Sequence, residues 1–168
     1  MHLIVIVVFA VFGAILASFV TVIAERLHTG QSWVSGRSCC NSCAQELSAH
    51  DLVPVVSWLL SSGRCRACGA NVPASYAIGE IVLGSVFALS YFTLGLVPAL
   101  VPLLAAFAIL MFIVIYDMRH TVVPWTASVL LLMSAGAYAV LSYGIGKELG
   151  ASLLAAGMVS LFSVSYTH

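Results

Sequence analysis

LIVIVVFAVFGAILASFVTVI, residues 3–23, is the stretch that decides the fold. Its 21 residues pass without a charge, enough for a helix to cross a hydrocarbon core of about 30 Å. We read it as a membrane span. A cleaved signal peptide would want a basic start and a shorter apolar core, whereas only Met1 and His2 come before this run. Composition points the same way: 62% of the 168 residues are hydrophobic and 7% are charged, with a mean hydropathy of +1.12. A water-soluble domain would carry about a quarter charged residues. The expected fold class is therefore an all-α integral membrane protein.

Further apolar runs follow at Tyr76–Leu96, Pro98–Tyr116, Pro124–Ser142 and Leu149–Tyr166, for about five transmembrane helices. Leu94-Gly95-Leu96-Val97-Pro98 must reverse the chain, since Gly and Pro punctuate helices. Six Lys or Arg balance six Asp or Glu. With no basic cluster, a nucleic-acid partner is not expected. Placing the residue 25–75 segment and the Asp117–Pro124 loop on one side gives that side five Arg, against Lys147 alone on the other. By the positive-inside rule the Arg-rich side is cytosolic and the amino terminus lies outside. No internal repeat or low-complexity tract is evident.

The polar insert, residues 25–75, carries all five cysteines. Cys40-x-x-Cys43 and Cys65-x-x-Cys68 are separated by 21 residues, a spacing by which a short loop presents four thiolates to one zinc ion. A reducing cytosol favours metal over disulfides, and an insert of this size needs such a staple to hold a fold. Gly69 supplies the backbone freedom the second knuckle needs; Ala44 occupies the matching place in the first. Cys39 could exchange with Cys40 as a ligand, although the regular spacing selects Cys40. A redox dithiol and unliganded structural cysteines are the competing readings of the same residues.

Five strings in order, SFVTVIAERL, RSCCNSCAQEL, DLVPVVSWL, GRCRACG and YAIGEIVLG, resemble the amino-terminal part of the type 4 prepilin peptidases, membrane aspartyl proteases of pilus and secretion systems. Thr21, where the family favours Asn, and the extra thiol of Cys39 depart from its pattern. In YDMRHTVVPW, Asp117 follows an apolar run and precedes Pro124 by seven residues. From position alone it could be an ordinary helix-end charge, solvated or paired with Arg119. The resemblance implies that it is the first catalytic aspartate.

Such proteolysis uses two carboxylates that share a proton across one water. The only other aspartate of this chain is Asp51, and the family's Gly-x-Gly-Asp segment is absent. The expectation is thus a fragment, inactive alone; a naturally short relative is the alternative. Glu80 matches a family glutamate and, within a span, needs a partner such as Arg26 or Arg119. Glu80 and Arg119 are the supporting candidates.

The resemblance further implies an inner-membrane enzyme with three parts: residues 1–24 as the first helix, 25–75 as a cytosolic zinc insert, and 76–168 as an incomplete peptidase domain. It would cleave prepilins or pseudopilins of type IV pilus or type II secretion systems. Amino-terminal methylation with S-adenosylmethionine is implied by resemblance alone. Two other readings stay open: a non-catalytic membrane module that binds a partner through the zinc ribbon, and a membrane dithiol oxidoreductase.

Overall fold

The computed structural model describes residues 1–29, 32 and 37–143. Five α-helices occur among them: α1 His2–Thr29, α2 Val56–Leu60, α3 Ala74–Leu94, α4 Leu100–His120 and α5 Trp125–Tyr143. Four, all but the short α2, are long and apolar enough to cross a membrane. Sheet structure among the described residues is confined to two isolated bridges, Cys39 with Glu46 and Arg64 with Asn71. The expected span Leu149–Tyr166 and the Gly144–Lys147 turn lie outside the described residues.

Helix α1 outruns its expected end at Ile23 by six residues, so Glu25 and Arg26 are helical rather than part of the loop. No Gly or Pro between Glu25 and His28 stops it. Likewise α4 runs on to His120, which places Asp117 inside its last turn.

Chain contacts divide the molecule into one unit of Met1–Ala88 and a second from Leu89 onward. In the first, α1 buries Gly13, Ala17, Val20, Thr21 and Ala24, a helical stripe of mostly small side chains. Such a stripe lets two backbones approach closely. A Cβ placed on Gly13 would stand 2.7 Å from the Leu83 carbonyl oxygen, and one on Gly84 would stand 2.7 Å from that of Ala10. The contact is reciprocal, so glycine is required on both helices. Phe87, fully buried, lies beside this contact with its ring centre 5.9 Å from that of Phe12. Thr21 donates its hydroxyl to the Ala17 carbonyl at 2.8 Å, so a polar side chain is accommodated within the stripe.

In the second unit, α3 ends at Leu94 and Gly95 takes the left-handed conformation that closes a helix, its amide donating to the Tyr91 carbonyl at 2.8 Å. Five residues later α4 begins, and α4 packs against α5. Leu100, Leu104, Tyr116, Ala127 and Ala139 are buried there.

Candidate metal centre and the Asp117 helix end

The two cysteine pairs sit in turns that repeat atom for atom at an offset of 25 residues. In the first, the Cys40 amide donates to the Gln45 carbonyl (2.9 Å), Ala44 to Cys40 (2.9 Å) and Leu47 to Ser38 (2.8 Å). In the second, Cys65 donates to Ala70 (2.8 Å), Gly69 to Cys65 (2.9 Å) and Val72 to Gly63 (2.7 Å). The bridges Cys39–Glu46 and Arg64–Asn71 correspond in the same way. The sequence reading finds no internal repeat because little besides the cysteines is shared; the offset Cys40 to Cys65 and Cys43 to Cys68 was the available signal. Ala44 and Gly69 both have positive φ, 56° and 72°. The first knuckle thus holds an L-residue in the left-handed region, where its Cβ costs about 1–2 kcal/mol.

These turns bring the sulfurs of Cys40, Cys43, Cys65 and Cys68 within 4.8 Å of one another. Cys40 Sγ and Cys68 Sγ stand 3.8 Å apart. A tetrahedral ion with metal–sulfur bonds of about 2.3 Å separates its sulfurs by about 3.8 Å. The donor set therefore fits a four-thiolate metal. Cys39, exposed, stays outside the cluster.

Without metal, the thiols ionise unevenly. The amides of Ser42 and then Cys43 point at the Cys40 sulfur and bring its pKa down to about 6. For Cys68 the Ala70 amide favours the thiolate, but hydrogen bonds with Cys43, Cys65 and Cys40, together with desolvation, push the pKa up to about 11. A bound cation would ionise all four.

Around the cluster, Arg37 pairs with Glu46 at 3.1 Å and Arg66 with Asp51 at 3.4 Å. The Asp51 carboxylate also accepts from the Ser48 hydroxyl (2.7 Å) and amide (3.1 Å), and these contacts hold its pKa below the usual range. Asp51 is thereby committed to the turn at Ala49–Leu52. Tyr76 donates to Glu25 at 2.5 Å, joining the start of α3 to the end of α1. The Arg26 guanidinium donates to the carbonyls of Ser32 and Arg37, 3.2 Å each.

Glu80 is 8% exposed. The sequence suggests Arg26 or Arg119 as its partner; instead the backbone amide of Val55 donates to Oε2 at 2.7 Å. Val55 itself has φ 62° and ψ −48°, and the Val56 amide donates to the Pro54 carbonyl at 2.6 Å. This is the rare, strained γ-turn with positive φ, here on a β-branched residue. No sequence signal marks it.

In the second unit Asp117 is exposed, one residue beyond buried Tyr116. Its carbonyl accepts from Thr121, which closes α4 in a left-handed conformation. Arg119 and His120 share that last turn, where positive charge suits the helix dipole. The Tyr116 ring lies 4.7 Å from that of His120 and 5.5 Å from that of Phe112.

The family model of the bacterial peptidase A24 N-terminal domain matches residues 11–94, half of the chain. This chain belongs to that family. The matched segment of this A24 N-terminal domain holds both knuckles, Glu80 and the α1–α3 contact; Asp117 lies beyond it. Among curated relatives, the prepilin leader peptidase/N-methyltransferase of Myxococcus xanthus is 32% identical over 125 residues, covering 72% of this chain and 37% of that protein. That of Bacillus subtilis is 28% identical over 114 residues, 68% of this chain and 46% of the relative. That of Vibrio cholerae is 34% identical over 89 residues, 48% and 35% respectively. The chain thus spans under half the length of each of these relatives. No solved structure matches it.

Proposed function

We propose that this A24-family chain forms the amino-terminal part of a membrane aspartyl endopeptidase that removes leader peptides from prepilins or pseudopilins. The similarity to the Myxococcus relative carries this reading, because its 125 residues exceed the 11–94 segment and so reach past the amino-terminal domain. Asp117 supplies one of the two carboxylates that share a proton across the attacking water. Asp51 is a poor second member, tied as it is to Ser48 and Arg66.

Zinc on Cys40, Cys43, Cys65 and Cys68 is structural: four thiolates leave no open position for substrate or water. When bound, it supplies folding free energy to the insert rather than chemistry. The five Arg on the insert side support a cytosolic face for the insert of an inner-membrane protein. The N-methyltransferase in the relatives' shared name supports methylation of the new terminus, for which S-adenosylmethionine would be the donor.

The test is a chimera that joins residues 1–168 to the remainder of the Bacillus relative, reconstituted in liposomes with a prepilin. We expect leader cleavage by the chimera, none by residues 1–168 alone, and loss of cleavage in Asp117→Asn. Undiminished cleavage in Asp117→Asn would overturn the role of Asp117, and failure of the unsubstituted chimera with zinc bound would favour a partner-binding module. Metal-free, oxidant-reactive thiols in the reduced protein would favour the oxidoreductase.

A further inference from the structure

Within the polar insert, residues 52–60 read LVPVVSWLL, nine residues without a charge. That is far too short to span, and just below the roughly 10–14 residues of interfacial or re-entrant segments. Five of its six large aliphatic side chains stay exposed in the first unit: Leu52, Val53, Val56, Leu59 and Leu60 are 48%, 44%, 50%, 62% and 73% exposed, while Val55 is half-buried. Helix α2 buries no residue at all. Left in water, such a patch on a small insert would be a liability.

Two observations place it at membrane depth. Helix α3 has 21 residues, a rise of about 31 Å at 1.5 Å per residue, so it has almost no length to spare beyond a hydrocarbon core of about 30 Å. Glu80 lies six residues, about 9 Å, inside its start. The Val55 amide meets the Glu80 carboxylate there, at 2.7 Å. Independently, Leu52 and Pro54 line an open groove of about 300 Å³ with Ile15, Phe19 and Val22 of α1, its polar lining being Ser18, Arg26 and Ser38. Ile15 and Phe19 lie well inside the first span and are themselves exposed on its surface.

The backbone is also suited to a dry setting. Pro54 has no amide, and those of Val55, Val56, Ser57 and Leu59 all donate, to Glu80, Pro54, Val53 and Val55. Non-helical backbone is tolerated at membrane depth only where its polar groups are satisfied within the protein. The Ser61 hydroxyl donates to the Trp58 carbonyl and the Trp58 indole to the Val72 carbonyl. Charge returns only at the two ends, where Asp51 and Arg66 pair across the neck of the segment.

We propose that Leu52–Leu60 dips into the bilayer, its apolar side chains covered by lipid in the leaflet on the insert's side, with Glu80 pinning the dip to α3. The insert is then a monotopic element as well as a metal-binding one.

The native chain in lipid nanodiscs that contain a diazirine-bearing phosphatidylcholine tests this by photolabelling, alongside hydroxyl-radical footprinting from the water phase. Peptide mapping is expected to find carbene adducts on Leu59 and Leu60 at the level seen on Ile78 and Ile81, none on Ser38–Glu46, and radical oxidation in the reverse order. Oxidation of Leu59 and Leu60 without carbene adducts would overturn the proposal by placing the patch in water. Protection from both probes would overturn it in favour of a protein cover, such as a second copy. Leu60→Glu should lose carbene labelling across 52–60 while keeping its metal; unchanged labelling would count against the dip.

Discussion

The cysteine insert and the end of α4 differ in how complete a site each offers. The insert assembles its donor set from two local turns: four sulfurs within 4.8 Å, each pair positioned by hydrogen bonds inside an eleven-residue stretch or less. The end of α4 offers one exposed carboxylate, Asp117, in a turn closed by Thr121. A chelate of this kind is a short-range construction. The proposed proton-sharing carboxylate pair is long-range, because Asp117 would need a partner from elsewhere in the fold. The insert therefore carries the family's identity while the helix end carries half of its proposed chemistry.

The largest effect should come from breaking the chelate. Cys65→Ser removes one thiolate from a site whose apparent zinc free energy is about 10–16 kcal/mol; the variant should lose its metal and expose the stretch from Ser38 to Val72 to protease, with the helices of the second unit kept. Retention of one zinc per chain would break the contrast between the two regions.

Next in size is Asp117→Asn in the chimera, where loss of an acid–base group should slow leader cleavage by about 10²–10⁴-fold with zinc content unchanged. If the metal were lost as well, the two regions would not be separable.

A smaller effect is expected at the helix contact under the insert. Gly13→Val drives a side chain into the Leu83 carbonyl, 2.7 Å from the Cβ position, and overpacking of this kind costs about 1–3 kcal/mol. Unfolding in mixed micelles should register the loss, and a neutral result would mean that α1 and α3 can separate freely. Glu80→Ala, which removes the acceptor of the Val55 amide, should cost about 1–3 kcal/mol, while Glu80→Gln keeps a carbonyl acceptor and most of the stability.

The smallest effect distinguishes the knuckles from each other. Ala44→Gly relieves a left-handed L-residue and Gly69→Ala creates one, so metal retention against a chelator should rise slightly in the first and fall in the second, by about 1 kcal/mol after the glycine entropy offset. Equal signs would show that the two turns are not equivalent.

Much of this was legible in the residues. Run length and charge placed four helices that the described residues contain, to within four residues at every end except the carboxyl end of α1, which runs six residues further, because a helix in lipid must satisfy its own backbone. The i, i+3 cysteine spacing gave the cluster, since a tight turn fixes where both sulfurs point. The pseudo-repeat of the knuckles was missed because it resides in carbonyl and amide positions that many side chains permit. The Glu80 partner was missed for a related reason: a charged residue was sought for a carboxylate, and a backbone amide exposed by the Val55 turn took its place. The segment 52–60 reads as part of a polar insert because its nine residues fall below the length by which spans are recognised.

The division of labour between the two regions rests on a closed metal site, and X-ray absorption at the zinc edge of the reconstituted chain reads it directly. The account predicts one zinc per chain with four sulfurs at about 2.3 Å and no oxygen or nitrogen neighbour. A shell with an open, water-bearing position would put chemistry at the cysteines, and absence of zinc from reduced protein would remove the metal centre altogether.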